Sequence, residues 1–326
     1  MNFQILKKLN KMAAATGAIL LLSMSTTFAG TVGVGTTKGG ATAAVSAGLA
    51  NVVSTHSGHQ MRPQPMGGTN QYIPIVNAGE LEFGISNAMQ AYMAISGTGL
   101  SEGSPNKNLR LVASLMTFKL GLFVRADSDI KSIADLRGKR IPSEFTASPL
   151  FRHLMAAHLA NAGLGWDDVT LVPQPALRQH WAAFGKGEID VAIGAIGSGS
   201  VKQASAAVGG IRFLPLAPGD EAEKRTLTLA PKSTIKTITP SKPILGVTEP
   251  IDVLHYTYLL WASKDVSDNV VYDVVKSIYD NEEAFHAASP LWRSHRSKTM
   301  STDFGPEMQY HPAAIRFFED VGIWSR

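Results

Sequence analysis

The 326-residue sequence has no cysteine. Its absence excludes disulfides, a lipid-bearing cysteine, a thiolate nucleophile and cysteine-rich metal sites. Without disulfides, the fold must be held together by its hydrophobic core. Hydrophobic residues make up 44% of the sequence, and the length allows one large domain or, as we expect, two.

Long apolar runs are also missing. The run Ala13–Leu22 is about half of the roughly 20 residues that a helix needs to cross a bilayer. Three lysines precede it, and the small-residue motif Thr27–Ala29 follows, which is typical of a cleavable signal peptide. A membrane anchor is the alternative, but polar residues follow the run at once. We therefore predict that residues 1–29 are a signal peptide and that the mature protein is periplasmic, soluble and not lipidated.

The mature chain has almost no net charge. The signal peptide contains three of the 30 basic residues and none of the 26 acidic ones, so 27 basic residues remain against 26 acidic. This balance argues against nucleic acid as a partner. Gly-x-Ser-x-Gly and His-Glu-x-x-His motifs are absent, so we predict no enzyme, no catalytic residue and no cofactor. His56 and His59 have no acidic residue near them in the sequence, so we assign them to a surface loop and predict no metal site.

Strand and helix patterns alternate along the mature chain, which predicts an α/β fold. We read Ala217–Thr248 as long loops and Val266–Phe285 as one long helix. In open α/β sheets, ligands bind beyond the carboxyl ends of the strands. Four predicted strands end in loops of small and polar residues, and these loops follow Gly35, Ile85, Pro142 and Ile193.

Several motifs, taken in order, resemble one family. The amino-terminal motifs are Gly35-Thr-Thr-Lys-Gly-Gly40, Gly67-Gly-Thr-Asn70 and Gly79-Glu-Leu-Glu-Phe-Gly-Ile85. The later motifs are Asp129–Arg140, Ala182–Asp190 and His311–Gly322. This ordered set resembles the TAXI group of solute receptors, which serve TRAP transporters, and it covers nearly the whole mature chain.

The resemblance implies a type II periplasmic binding protein, with two α/β lobes joined by two strand crossovers and a ligand cleft between them. We expect crossovers near Phe118–Val124 and Gly246–Leu254. Residues 30–120 and 251–326 then form lobe 1, and residues 121–250 form lobe 2. The resemblance also implies a glutamate-like or 2-oxoacid-like carboxylate as ligand and a TRAP-type permease as partner. We expect a monomer. A sensory binding protein without a permease and, less favoured, an exported hydrolase stay as alternatives.

The candidate ligand-binding residues follow the strand ends. Backbone N–H groups, hydroxyls and one ammonium in the first loop suit a small anion. That loop lacks the Gly-Lys-Ser/Thr ending of a nucleotide-binding loop. The candidates in lobe 1 are Thr36, Thr37, Lys38, Gly39, Gly40, Thr69, Asn70, Ser86 and Asn87. Those in lobe 2 are Thr146, Ala147, Ser148, Gly197 and Ser198.

The chain departs from the family pattern in this first loop. Family members usually have two aromatic residues just past the double glycine, where this chain has Thr42 and Ala43. The exchange leaves room for a bulkier ligand, or for an aromatic side chain from elsewhere. Lys38 stands where small residues are usual, and its charge favours an anion.

Overall fold

The computed structural model describes residues 30–242 and 244–324; the predicted signal peptide lies outside them. The strands are β1 (Gly30–Thr37), β2 (His59–Met66), β3 (Phe83–Asn87), β4 (Leu109–Arg125), β5 (Arg140–Glu144), β6 (Thr170–Gln174), β7 (Ala192–Ala195), β8 (Ile211–Phe213), β9 (Thr234–Ile238) and β10 (Ile251–Ser263). The α-helices are α1 (Gly40–His56), α2 (Thr69–Asn77), α3 (Ala88–Ser96), α4 (Pro149–Asn161), α5 (Leu177–Lys186), α6 (Gly199–Ala207), α7 (Asp220–Leu229), α8 (Asp268–Asp280), α9 (Glu282–Ala288) and α10 (Pro312–Asp320).

Eight strands form one mixed sheet in the order β2-β1-β3-β10-β4-β7, with β8 also paired to β4 and β9 to β10. Strand β1 runs parallel to β2 and β3, whereas β10 runs antiparallel to β3 and β4. Strands β5 and β6 form a separate parallel pair. The alternation of strands and helices predicted from the sequence is confirmed.

Two long strands connect the halves of the molecule. Strand β4 pairs with β10 from Leu109 to Leu120, and its last residues pair with β7 and β8. The first five residues of β10, from Ile251 to His255, pair with β9, and its end pairs with β3. Strand β4 changes partners at Leu120, within the predicted crossover, and β10 does so between His255 and Tyr258, just past the predicted one. The lobe boundaries near residues 120 and 250 stay a prediction.

Aromatic rings pack against glycines of the eight-stranded sheet. A Cβ on Gly84 of β3 would lie 2.3 Å from the ring of Trp261, and one on Gly35 of β1 would lie 2.6 Å from Tyr72. The Tyr72 and Trp261 rings stack at 6.0 Å, and both residues are fully buried. Glycine at these strand positions lets the rings lie flat on the backbone.

The long-loop prediction for Ala217–Thr248 is wrong, because this segment contains α7 and β9. Helix α7 is mostly polar, and it is fixed by hydrogen bonds to the end of α4. The Arg225 guanidinium donates to the carbonyl oxygens of Ala160 and Asn161. Apolar periodicity therefore could not reveal this helix.

Two further predictions are corrected. The predicted helix Val266–Phe285 is two helices, α8 and α9, that meet at Asn281. The Asn281 amide donates to the carbonyl oxygen of Ser277 at 2.8 Å, which helps to end α8. His59 is not in a surface loop: it is 2% exposed in β2, and its Nε2 lies 3.1 Å from the Asp273 carboxylate.

Candidate functional site

Most polar side-chain groups of the loop between β1 and α1 form hydrogen bonds with backbone groups of the loop and the start of α1. Thr36 is buried and donates its hydroxyl to the carbonyl oxygen of Thr42 at 3.2 Å. Thr37 donates to the Gly39 carbonyl oxygen at 2.8 Å. The Lys38 N–H donates to Met66 at 2.9 Å, which joins this loop to the end of β2, while the Lys38 residue itself is exposed.

Helix α1 begins without a side-chain cap. Its N-cap residue is Gly39, and Gly40 follows with a φ of +78°, in the left-handed region that favours glycine. The first N–H groups of a helix have no partner inside the helix, so here they are left for water or a ligand. The positive end of the helix dipole adds to the charge of Lys38 at this place.

The loop between β2 and α2 lies next to the first. Strands β1 and β2 are paired to their last residues, Thr37 opposite Met66, so α1 and α2 begin side by side. The N-cap of α2 is Gly68, again without a side-chain cap. Thr69 accepts a short hydrogen bond from the Gln90 amide, and Asn70 is exposed.

Two of the predicted loops meet across the molecule. A Cβ on Gly68 would lie 3.7 Å from the carbonyl oxygen of Ala147. The β2–α2 loop of predicted lobe 1 therefore faces the β5–α4 loop of predicted lobe 2. Thr146 and Ala147 are exposed, and Ser148 is the N-cap of α4 without forming a side-chain cap.

The β5–α4 loop has an unusual backbone. Glu144 and Phe145 have φ values of +67° and +48°, which are costly for residues with a Cβ. Hydrogen bonds hold the turn: the Phe145 N–H donates to Gln174, and the Ala147 N–H donates to Pro175 at 3.0 Å. The second of these bonds places the loop beside the start of α5.

The start of helix α5 lies next to the β5–α4 loop, and none of its residues is among the candidate ligand-binding residues. Its N-cap, Ala176, has no capping side chain. Arg178, in its first turn, is exposed and forms no ion pair among the described residues. The first turns of α4 and α5 thus lie together in predicted lobe 2, as those of α1 and α2 do in predicted lobe 1.

The remaining candidate side chains cap helices or form hydrogen bonds that connect neighbouring elements. Ser86 accepts a hydrogen bond from the Trp261 indole at 3.0 Å, and Asn87 caps α3 by accepting from the Gln90 N–H at 2.8 Å. Gln90, which the sequence analysis missed, bonds to both Asn87 and Thr69 and ties α3 to α2.

Ser198 is the other capping candidate. It caps α6 by accepting from Val201 at 3.3 Å, and Gly197 before it has a φ of +85°. The loop is fixed to β4, because the Ile196 N–H donates to the Lys119 carbonyl oxygen at 2.8 Å. Ser198 is half-buried and Gly197 is exposed.

Aromatic side chains from the crossover strands lie beside the first loop. Phe118 contacts Tyr258 with ring centroids 4.8 Å apart and stacks on Tyr256 at 6.0 Å. The Tyr258 hydroxyl is hydrogen-bonded to the Thr42 hydroxyl at 3.0 Å. Burial raises the pKa of both tyrosines, so both stay neutral. Rings from β4 and β10 thus pack next to Thr42, where the TAXI pattern that the sequence resembles has an aromatic residue.

A surface cavity lies elsewhere. Its volume is about 910 Å³, and Asn161, Leu216 and Arg225 are among the residues that line it. None of the candidate ligand-binding loops contributes to it, and two of its polar side chains already have partners: Asn161 accepts from the Ala217 N–H at 2.6 Å, and Arg225 donates to the end of α4. We therefore keep the candidate site at the loops.

The described residues contain no group of three or more side chains arranged to hold a metal ion. In the same part of the chain, none of the helices combines the length and apolar character that a membrane span requires.

The model of the NMT1-like family matches residues 33–322, which is most of the sequence. The chain belongs to the NMT1-like family. The match leaves the finer TAXI assignment as a prediction.

Solved structures support the same fold. MatC (Rpa3494) from Rhodopseudomonas palustris with bound malate is 15% identical, with a TM-score of 0.55 over 90% of this chain and 97% of that one. PhnD1 from Prochlorococcus marinus in complex with methylphosphonate is 11% identical, with a TM-score of 0.54 over 90% and 99%. A structure described as a periplasmic transporter is 17% identical, with a TM-score of 0.54 over 82% and 89%. The chain thus has the two-lobe α/β fold of periplasmic binding proteins.

Proposed function

We propose that this protein is an extracytoplasmic solute receptor that binds a small organic anion between its lobes and delivers it to a membrane permease. One observation carries the proposal: the uncapped starts of α1, α2, α4 and α5 lie at adjoining loops from both predicted lobes. Helix N-termini attract anions through free N–H groups and the helix dipole.

Two exposed basic side chains and the fold support an anionic ligand. Lys38 and Arg178 are exposed beside two of these helix starts, and neither has an ion-pair partner among the described residues. Two structures of the same fold have small anions bound, malate in one and methylphosphonate in the other. We propose a carboxylate, glutamate-like or 2-oxoacid-like, because the sequence resembles receptors for such ligands.

The proposal assigns binding and not catalysis. Ser198, in the glycine- and serine-rich loop, uses its hydroxyl to cap α6, and no histidine is hydrogen-bonded to it among the described residues. A serine nucleophile needs such a base. Turnover of an ester or amide by the purified protein would contradict this part of the proposal.

A ligand screen tests the proposal. We expect dicarboxylates, amino acids or 2-oxoacids to raise the melting temperature of the purified mature protein, since a ligand that binds only the folded state stabilises it. Mass spectrometry of the protein as purified would identify a ligand that stays bound. Stabilisation by neutral compounds alone would contradict an anionic ligand.

The matched variants are Lys38→Ala and Lys224→Ala. Both lysines are exposed and without an ion pair among the described residues, but only Lys38 lies at the start of α1. We expect Lys38→Ala to weaken binding of the identified ligand more than tenfold and Lys224→Ala to leave it unchanged. Equal affinities would remove Lys38 from the site.

The partner that we propose is a TRAP-type permease, which an ion gradient drives. Uptake of the identified ligand into vesicles containing the cognate permease and this receptor should follow an imposed ion gradient without ATP. Uptake that needs ATP would contradict the TRAP assignment, while the receptor function would stand. Binding without any uptake would favour the sensory alternative.

A further inference from the structure

Three basic side chains lie together on the strands that connect the lobes. Lys119 of β4 is paired directly with His255 of β10. On the other side, Lys236 of β9 is paired with Val253, two residues before His255. Side chains of paired residues, and of residues two apart on a strand, share one face of a sheet. Direct neighbours have Cβ atoms about 4.5–5.5 Å apart and diagonal ones about 7–8 Å, so two ammonium groups flank one imidazole.

This cluster, Lys119, His255 and Lys236, lacks a negative partner. Neither lysine is in an ion pair among the described residues, and no carboxylate affects the pKa of His255. Burial, and then the charges of Lys119 and Lys236, lower that pKa to about 4. His255 is only 9% exposed, and its Nε2 has no hydrogen-bond partner. Buried ring nitrogens normally have one, so this nitrogen is open to a ligand or to water.

The cluster lies on the face of the strands away from the aromatic side chains. Phe118 and Tyr256 are the sequence neighbours of Lys119 and His255, and successive side chains of a strand point to opposite faces. The aromatic face reaches Thr42 through Tyr258, at the start of α1. The basic face is therefore separated by the sheet from the β1–α1 loop of the proposed solute site.

We propose that the Lys119–His255–Lys236 cluster is a second anion site, which takes a small oxyanion. The two ammonium groups supply the opposite charge, and the imidazole accepts a proton more readily once that anion offsets them. The site joins β4, β10 and β9 at the crossover. It does not depend on the solute that the loops bind, and it goes beyond the proposed transport function.

Sulfate is a suitable probe because it keeps its double charge across the range in which His255 titrates. We follow the His255 ring by NMR while the pH is lowered, with sulfate or chloride at equal ionic strength. We expect sulfate to raise the pKa of His255 by about one unit. At neutral pH we expect saturable shifts of the Lys119 and His255 amide resonances. The absence of both effects would overturn the proposal.

Variants then locate the anion. Lys119→Gln and Lys236→Gln should each weaken sulfate binding at least tenfold, and Lys236 is exposed, so its variant should fold normally. Lys224→Gln, on the surface of α7, should change nothing. Equal weakening by all three would indicate nonspecific screening and contradict a defined site.

Lys38→Ala separates this proposal from the solute site. We expect it to leave the effect of sulfate on His255 unchanged, whatever it does to solute binding. Loss of that effect in Lys38→Ala would place sulfate in the loop site and overturn the second site. Failure of the solute screen would leave the sulfate result intact.

Discussion

Thr42 shows how a single exchange changes the surroundings of a binding loop. Where the TAXI pattern that the sequence resembles has an aromatic side chain, this chain has a hydroxyl that bonds to Tyr258 from a distant strand. The sequence predicted the gap, and it named an aromatic residue from elsewhere as one way to fill it. It could not say which one, because Thr42 and Tyr258 are 216 residues apart and only the sheet pairing brings them together.

Removing the hydrogen bond between these two hydroxyls tests its contribution to stability. Tyr258→Phe deletes the bond to Thr42 while keeping the ring against Phe118. We expect a loss of about 0.5–1.5 kcal/mol in the free energy of unfolding, which is typical of one buried hydrogen bond. Urea denaturation followed by fluorescence measures it.

Tyr279→Phe is the matched control. The Tyr279 ring contacts Phe317 at 5.5 Å, and no hydrogen bond of its hydroxyl is found among the described residues. Its loss should stay within a few tenths of a kcal/mol. Equal losses in the two variants would show that the bond to Thr42 contributes nothing to stability.

Whole elements were predictable where their apolar pattern was strong. The sequence predicts strands over Val32–Gly35 and Leu254–Ala262 and a helix over Ala41–Val53. These segments are close to β1, β10 and α1, and most of the buried positions in them are apolar. Helix α7 was missed because Arg225 and Thr226 hold it by polar bonds to α4. These interactions depend on tertiary contacts that no local pattern records.

The segment after α7 contains a residue, Lys232, that contacts the other predicted lobe. Lys232, with a φ of +60°, places its ammonium 4.8 Å above the ring of Tyr92 in α3 and 3.5 Å from the Glu307 carboxylate. Lys232 belongs to predicted lobe 2, whereas both partners belong to predicted lobe 1. The contact therefore connects the two predicted lobes, and we expect it to favour the closed arrangement.

We expect Lys232→Ala to shift the protein without ligand toward a more open form. A cation–π contact and an exposed ion pair together contribute about 1 kcal/mol, or about a fivefold change in the population ratio. Small-angle scattering should show a larger radius of gyration than for Lys224→Ala. Identical scattering curves would contradict a role for Lys232 in closure.

At the scale of the whole molecule, the α/β fold could be predicted from strand–helix alternation, while the position of the ligand at the strand-end loops stays a prediction. The roles of individual side chains could not be predicted. Ser86, Asn87 and Ser198 look like ligand contacts in the sequence, yet the structure uses them to bond Trp261 and to cap α3 and α6. At the starts of α1 and α2 the cap is missing because the N-cap residues are Gly39 and Gly68, and a glycine has no side chain to cap with.

Buried neutral histidines should make the whole protein sensitive to mild acid. His180 is fully buried; its Nδ1 lies 2.8 Å from the Leu177 carbonyl oxygen, and its Nε2 accepts from the Ile193 N–H. Burial lowers the pKa of His180 from 6.5 to about 4, and burial also lowers that of His158. A proton on Nε2 would replace the bond from the Ile193 N–H by one to the Ile193 carbonyl oxygen, 3.2 Å away, so burial is what opposes protonation.

The sign of the effect follows from proton binding. Between pH 6.5 and 4 the unfolded chain takes up protons at these histidines and the folded protein does not, so stability falls as the pH is lowered through this window. The shift of His180 corresponds to a loss of about 3 kcal/mol, complete near pH 4. Above about pH 7 this contribution should be constant.

Denaturant unfolding at a series of pH values between about 7 and 5.5 measures the first part of this loss, above the range in which most carboxylates titrate. We expect His180→Gln to show a shallower decline than the wild type, even if the variant is less stable at every pH. His56→Gln, at an exposed position on α1, should keep the wild-type slope. If all three proteins lost stability in parallel, His180 would not be the group that resists protonation, and the sensitivity to acid would arise from the other buried histidines.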